Sequence, residues 1–121
     1  MKILHILSQM PDFTGSGKTV QAIIGNAKEK GHQNFLVAGV QGDFEIDPIL
    51  LPPENTKFVR FNRPGLDFAL PGMSDVMPYR STRWRDMTPE MLLQWRGAFA
   101  EKLKQALDVF QPTAIISNHL W

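Results

Sequence analysis

Lys2–Leu7 reads KILHIL, and Gln33–Val40 reads QNFLVAGV. Each is a short, nearly continuous apolar run, the pattern of a strand buried on both faces of a parallel sheet. Between them lie two different segments. Ser8–Gly17 (SQMPDFTGSG) gathers Pro, Asp, two Gly and small hydroxyls, which predicts a glycine-rich loop. From Lys18 the apolar residues Val20, Ile23, Ile24 and Ala27 follow helical spacing, and Gly31 stands where a left-handed helix stop is expected. The first forty residues therefore predict strand, loop, helix, strand. Right-handed crossover places that loop at the carboxyl ends of the strands, the edge at which such sheets bind ligands.

The remainder extends the pattern. Lys57–Phe61 (KFVRF) predicts a third strand after an acidic connection, residues 43–55, that carries three prolines. Thr88, Pro89 and Glu90 predict an N-cap, a first-turn proline and an acid suited to the helix dipole. Leu92, Trp95, Phe99, Leu103, Ala106 and Phe110 then line one helical face until Pro112 stops it. Of the three tryptophans, Trp95 is the one expected in the core. Thr113–Ser117 (TAIIS) predicts a fourth strand, and the expected architecture is α/β, a Rossmann-like open parallel sheet in the order 3-2-1-4. No charge or proline guards that fourth strand, so residues 113–118 are expected either as an exposed edge or paired with a second copy of the chain.

Length and composition narrow the function classes. A chain of 121 residues predicts one domain. The formal charge is +1, from 13 Lys+Arg and 12 Asp+Glu, which argues against nucleic-acid binding by bulk charge. The absence of cysteine excludes disulfides, thiolate zinc sites and cysteine nucleophiles. No apolar run is long enough for a membrane span or a signal peptide, and the expected location is cytoplasmic. The three histidines have no metal-like spacing, so no metal is expected. His5 is read as a core group, and His32, after Gly31, as facing solvent.

Residues 62–87 hold three Pro and two Gly without sustained periodicity, and predict a long loop of the kind that is often functional or mobile. Between Lys57 and Arg85 six basic residues stand against Asp67 and Asp75, which is +4 and leaves −3 for the rest. Such a cluster reads either as a solvated surface or as a contact for a phosphate or an acidic acceptor, with Arg80 and Arg83 as the candidate acceptor-binding residues.

Residues 12–19 (DFTGSGKT) approach a phosphate loop. Gly17, Lys18 and Thr19 fit G-x-x-x-x-G-K-[ST], but Asp12 occupies the place of the first glycine, and the preceding strand ends several residues too early. No later strand ends in an Asp that could hold Mg²⁺. A nucleotide-binding phosphate loop thus remains one reading. A second uses Gly15, Ser16 and Gly17 as backbone that approaches an anionic ligand at a helix start, with Lys18 adding charge. A third is a tight strand-to-helix turn that simply needs glycine; for the chain as a whole, a non-catalytic α/β binding module is also open.

Taken together, MKILHIL, the PDFTGSG loop, the helix running into AKEKGHQNFLVAGV and the distant strand ending in SNHLW resemble the N-terminal domain of family-4-type glycosyltransferases of the GT-B fold. The resemblance spans nearly the whole chain and is strongest at residues 1–40 and 112–121; PGMSDVMPYRSTRW is also similar to a stretch in some members. It implies the acceptor-side half of a two-domain enzyme that transfers a sugar from a nucleotide-sugar to a glycan, lipid or small-molecule acceptor, without a metal or resident cofactor. The C-terminal donor-binding domain would lie beyond Trp121, and the 121-residue chain alone would be inactive. The family's glycine loop matches Gly15, Ser16 and Gly17. The second His of its H-x-H pattern matches His119, next to Asn118, and would contact the sugar; the first is Ser117 here.

Overall fold

The computed structural model describes residues 1–118. Four strands form one sheet: β1 (Lys2–Leu7), β2 (Gln33–Gln41), β3 (Thr56–Phe61) and β4 (Ala114–Asn118). Their order is β3-β2-β1-β4, and every pairing is parallel. Two helices, α1 (Gly15–Glu29) and α2 (Pro89–Phe110), pack on the sheet. The architecture is therefore the Rossmann-like α/β sheet expected from the apolar runs.

Local chemistry sets both helix boundaries. Thr14 caps α1, its hydroxyl accepting from the Gly17 amide at 3.0 Å. At the other end Gly31 takes a left-handed φ of 80°. There His32 N donates to Ala27 O and Gly31 N to Lys28 O, each at 2.9 Å, which closes the helix with a double hydrogen bond. α2 opens with Thr88 accepting from Met91 N at 3.1 Å and with Pro89 in its first turn. Gln111, at φ 50°, ends it before Pro112.

The helices lie on opposite faces, because β1→β2 and β3→β4 cross the sheet in opposite directions with the same handedness. Phe35 of β2 meets Phe110 at 5.2 Å between ring centroids, and Phe61 of β3 meets Phe99 at 6.5 Å, which marks the α2 side. Leu36, Ala38 and Val40, alternating with these, are fully buried on the side of α1. Trp95 packs half-buried against Phe99 at 5.1 Å, as expected, and is met edge-on by Trp84 of the preceding loop at 5.3 Å. Leu92, expected on the core face, is 39% exposed.

Strand β4 is an edge. Among the described residues it pairs with β1 alone, and Ile115 is 54% exposed although its register partner Leu4 is fully buried. Among the described residues no helix is long and apolar enough to cross a membrane.

Candidate functional site

The carboxyl rim of the sheet brings together segments far apart in sequence. β1 ends at Leu7, whose register partner is Asn118 at the end of β4. The Asn118 Nδ2 donates to Ile6 O at 3.4 Å, tying the tip of β4 to the central strand. The connection that follows β1 leads directly into α1, so the start of that helix and the end of β4 share one rim. His119 lies outside the described residues.

The glycine-rich segment differs from expectation. The loop predicted over Ser8–Gly17 stops at Thr14, and Gly15, Ser16 and Gly17 already form the first turn of α1. The cause is the Thr14 cap, which outweighs the weak helix propensity of two glycines. Gly15 is exposed, and a Cβ there would meet nothing within 4 Å. Gly17 is buried, and a Cβ there would lie 2.7 Å from Asp12 N and 2.8 Å from Met10 O and Pro11 C. Its lack of a side chain thus lets residues 10–12 fold back over the helix, a packing role rather than an approach to ligand.

This leaves a defined set of donors. The Gly17 amide is held by Thr14, and the Lys18 amide donates to Thr14 O at 3.0 Å. The amides of Gly15 and Ser16 have no hydrogen-bond partner among the described residues. Both point out of the positive end of the helix dipole, where an anionic oxygen is favoured. The Lys18 side chain is exposed beside them. Asp12 turns its carboxylate to the Phe13 amide, at 2.7 Å.

A phosphate-wrapping loop needs non-helical backbone before the Gly-Lys-Thr triplet. Here Gly15 and Ser16 are helical, and the Thr19 hydroxyl donates to Gly15 O at 2.8 Å, within the helix. That geometry differs from a Mg²⁺-binding hydroxyl at the mouth of such a loop.

The loop over residues 62–87 is pinned across this rim. Gln41, at the end of β2, holds it with three hydrogen bonds: Oε1 accepts from Asn62 Nδ2 at 3.1 Å and Leu70 N at 3.0 Å, and Nε2 donates to Arg80 O at 2.8 Å. Leu70 is fully buried, and a Cβ on Gly39 would stand 2.7 Å from its Cδ1. Thr82 N donates to Leu70 O, and Gly72 N to Thr82 O, each at 3.1 Å.

The next part of the loop reaches α1. Met73 Sδ accepts from Gln9 Nε2 at 3.2 Å, and Gln9 Nε2 also donates to Ser16 Oγ at 2.5 Å. Tyr79 meets Phe13 edge-on at 6.4 Å. Burial raises the Tyr79 hydroxyl above the usual phenol range, with a Met10 backbone contact opposing it. Phe13 is exposed and adopts φ 62°, a left-handed conformation that costs a residue with a Cβ about 1–2 kcal/mol. Gln9, Phe13, Met73 and Tyr79 lie within stretches quoted in the sequence analysis, but none is singled out there as a site residue; the positive φ of Phe13 and the long-range contacts of all four arise only on folding.

The basic cluster resolves mainly into ion pairs. Arg60 meets Glu45 at 2.5 Å, Arg63 meets Asp43 at 3.0 Å, Arg83 meets Asp86 at 2.7 Å, and Arg85 pairs with Asp75. Of the two candidate acceptor residues, Arg83 is thus compensated within its own turn. Arg80 is exposed and forms no ion pair among the described residues.

His5 is fully buried, as expected of a core histidine; its Nε2 donates to Asn34 Oδ1 at 2.9 Å. Burial lowers its pKa from 6.5, partly opposed by that bond. His32, read as facing solvent, accepts at Nδ1 from the Met1 ammonium at 2.7 Å. Among the described residues no three His, Cys, Asp or Glu side chains come together as a metal site.

Comparison of the chain with protein-family models, with curated proteins and with solved structures finds no match.

Proposed function

We propose that this chain is the acceptor-side domain of a glycosyltransferase that uses a nucleotide-sugar donor. The observation that supports the reading best is the shared rim. The amides of Gly15 and Ser16, unpartnered among the described residues, and the end of β4 at Asn118 both belong to the rim at which β1 ends. Glycosyl transfer develops negative charge on the departing diphosphate, and pre-oriented amides at a helix start stabilise such charge. Lys18 adds a cation at the same place. Asn118, with His119 after it, would supply polar contacts to the transferred sugar. The exposed Phe13, Met73 and Val76, with Arg80 in the same loop region, offer an amphipathic surface for an acceptor.

Backbone-resolved NMR titration with UDP-glucose and GDP-mannose tests the reading. The expected result is a set of shifts centred on the Gly15, Ser16 and Asn118 amides, unchanged when EDTA replaces Mg²⁺. Binding of ATP that requires Mg²⁺ and is abolished by Lys18→Ala would replace this reading with a nucleotide-binding phosphate loop. The isolated 121-residue chain is expected to show no sugar transfer, because leaving-group stabilisation and sugar positioning would need a facing donor-binding domain.

A further inference from the structure

The amino-terminal edge of the sheet, opposite the rim just described, carries a separate cavity of about 430 Å³. Lys2, at the start of β1, and Lys28, in the last turn of α1, both line it, and among the described residues no acidic one does. Neither lysine takes part in an ion pair among the described residues. The Lys2 ammonium lies 5.1 Å from the centroid of the Phe110 ring, and Lys28 donates to Ile49 O. The nearby Asp47 carboxylate accepts from Ile49 N at 2.8 Å and is not part of the lining. Two positive charges thus face one space without a counter-ion among the described residues.

Polar donors line the same space. The carboxamides of Gln33 and Asn55 make no side-chain hydrogen bond to described residues, whereas Asn34 is held by His5 and by the His32 carbonyl. Leu51, Pro52 and Phe110 supply an apolar wall. No arginine is present to grip a carboxylate with a planar fork; lysine acts on a phosphate as a point charge. Two uncompensated unit charges match the dianion that a phosphomonoester carries near neutral pH.

From these observations we propose that the cavity is a binding site for a small organic phosphomonoester, with the phosphate between Lys2 and Lys28 and the organic part against Leu51, Pro52 and Phe110. The lysines also stand near the carboxyl ends of α1 and α2, whose dipoles attract cations. That attraction accounts for cations at this edge but predicts no ligand.

NMR titration of the full chain with phenyl phosphate, inorganic phosphate and phenol separates the two. The expected result is shifts at the Gln33, Asn34 and Asn55 amides with phenyl phosphate, weaker ones with inorganic phosphate and none with phenol. Binding should fall at least about tenfold in the double variant Lys2→Met, Lys28→Met, and should weaken in the wild type as NaCl rises from about 0.02 to about 0.5 M. The charge-conserving pair Lys2→Arg, Lys28→Arg should still bind and so controls for misfolding of the methionine variant. Equal binding of phenol and phenyl phosphate, undiminished binding by a folded methionine variant, or shifts centred on Gly15 and Ser16 would overturn the proposal.

Discussion

Replacing Gly17 with alanine sets two effects against each other. Gly17 lies in α1 without a positive φ, so propensity alone predicts a gain of about 1 kcal/mol from a better helix former. Packing predicts the reverse. The new methyl carbon would stand 2.7–2.8 Å from Asp12 N, Met10 O and Pro11 C, all backbone atoms that move only if the connection moves. Overpacking of this kind costs about 1–3 kcal/mol, and rigid backbone neighbours favour the upper part of that range. The net expectation is a loss of about 1–2 kcal/mol after the propensity gain, or roughly 4–8 °C in Tm for a chain of this size. Gly15→Ala is the matched control: two residues away, helical and open, it should be neutral or slightly stabilising. Urea denaturation followed by far-UV circular dichroism measures both. If Gly17→Ala were as stable as Gly15→Ala, the folded-back path of residues 10–12 over α1 would be wrong, and with it the set of amides left open at the helix start.

His5 makes folding pH-dependent. Its folded pKa is lowered by burial, so neutral His5 contributes stability that is present above its unfolded value of 6.5 and lost as pH falls below it towards the folded value. Denaturation midpoints measured across that range should decline on acidification, and His5→Asn should flatten that part of the curve. Leu70→Ala empties a fully buried position beneath the rim loop and should cost about 2–5 kcal/mol; hydrogen exchange at the Gly72 and Thr82 amides should accelerate more than exchange within β2. Phe13→Gly removes the left-handed strain and the ring contact with Tyr79, and a stability gain of up to about 1 kcal/mol is expected by thermal melting. Thr88→Ala should cost about 1 kcal/mol through loss of the α2 cap, read by chemical denaturation.

Much of the architecture was legible because its signals are short-range. KILHIL and QNFLVAGV announce buried parallel strands by apolar continuity, and Thr88, Pro89 and Pro112 bracket α2 with groups that act within one turn. The start of α1 lies three residues earlier than the apolar spacing from Lys18 predicts. Two glycines read as loop, whereas the Thr14 hydroxyl, three residues before Gly17, supplies the hydrogen bond that begins the helix. The same near miss affects the candidate site. Gly15, Ser16 and Lys18 do stand at the rim, but Gly17 is taken up by packing and Arg83 by Asp86.

The sequence alone determined the number, type and order of the strands and helices, since hydrophobic period and capping depend on neighbours within a few residues. Only the tertiary structure decided that Gln41 pins a loop starting 21 residues later, that Glu45 and Asp43 neutralise Arg60 and Arg63, and that two lysines 26 residues apart line one cavity. Those contacts join positions that no local period relates; they exist because the sheet brings distant strand ends to a common edge, where complementary charge and hydrogen-bonding groups can meet.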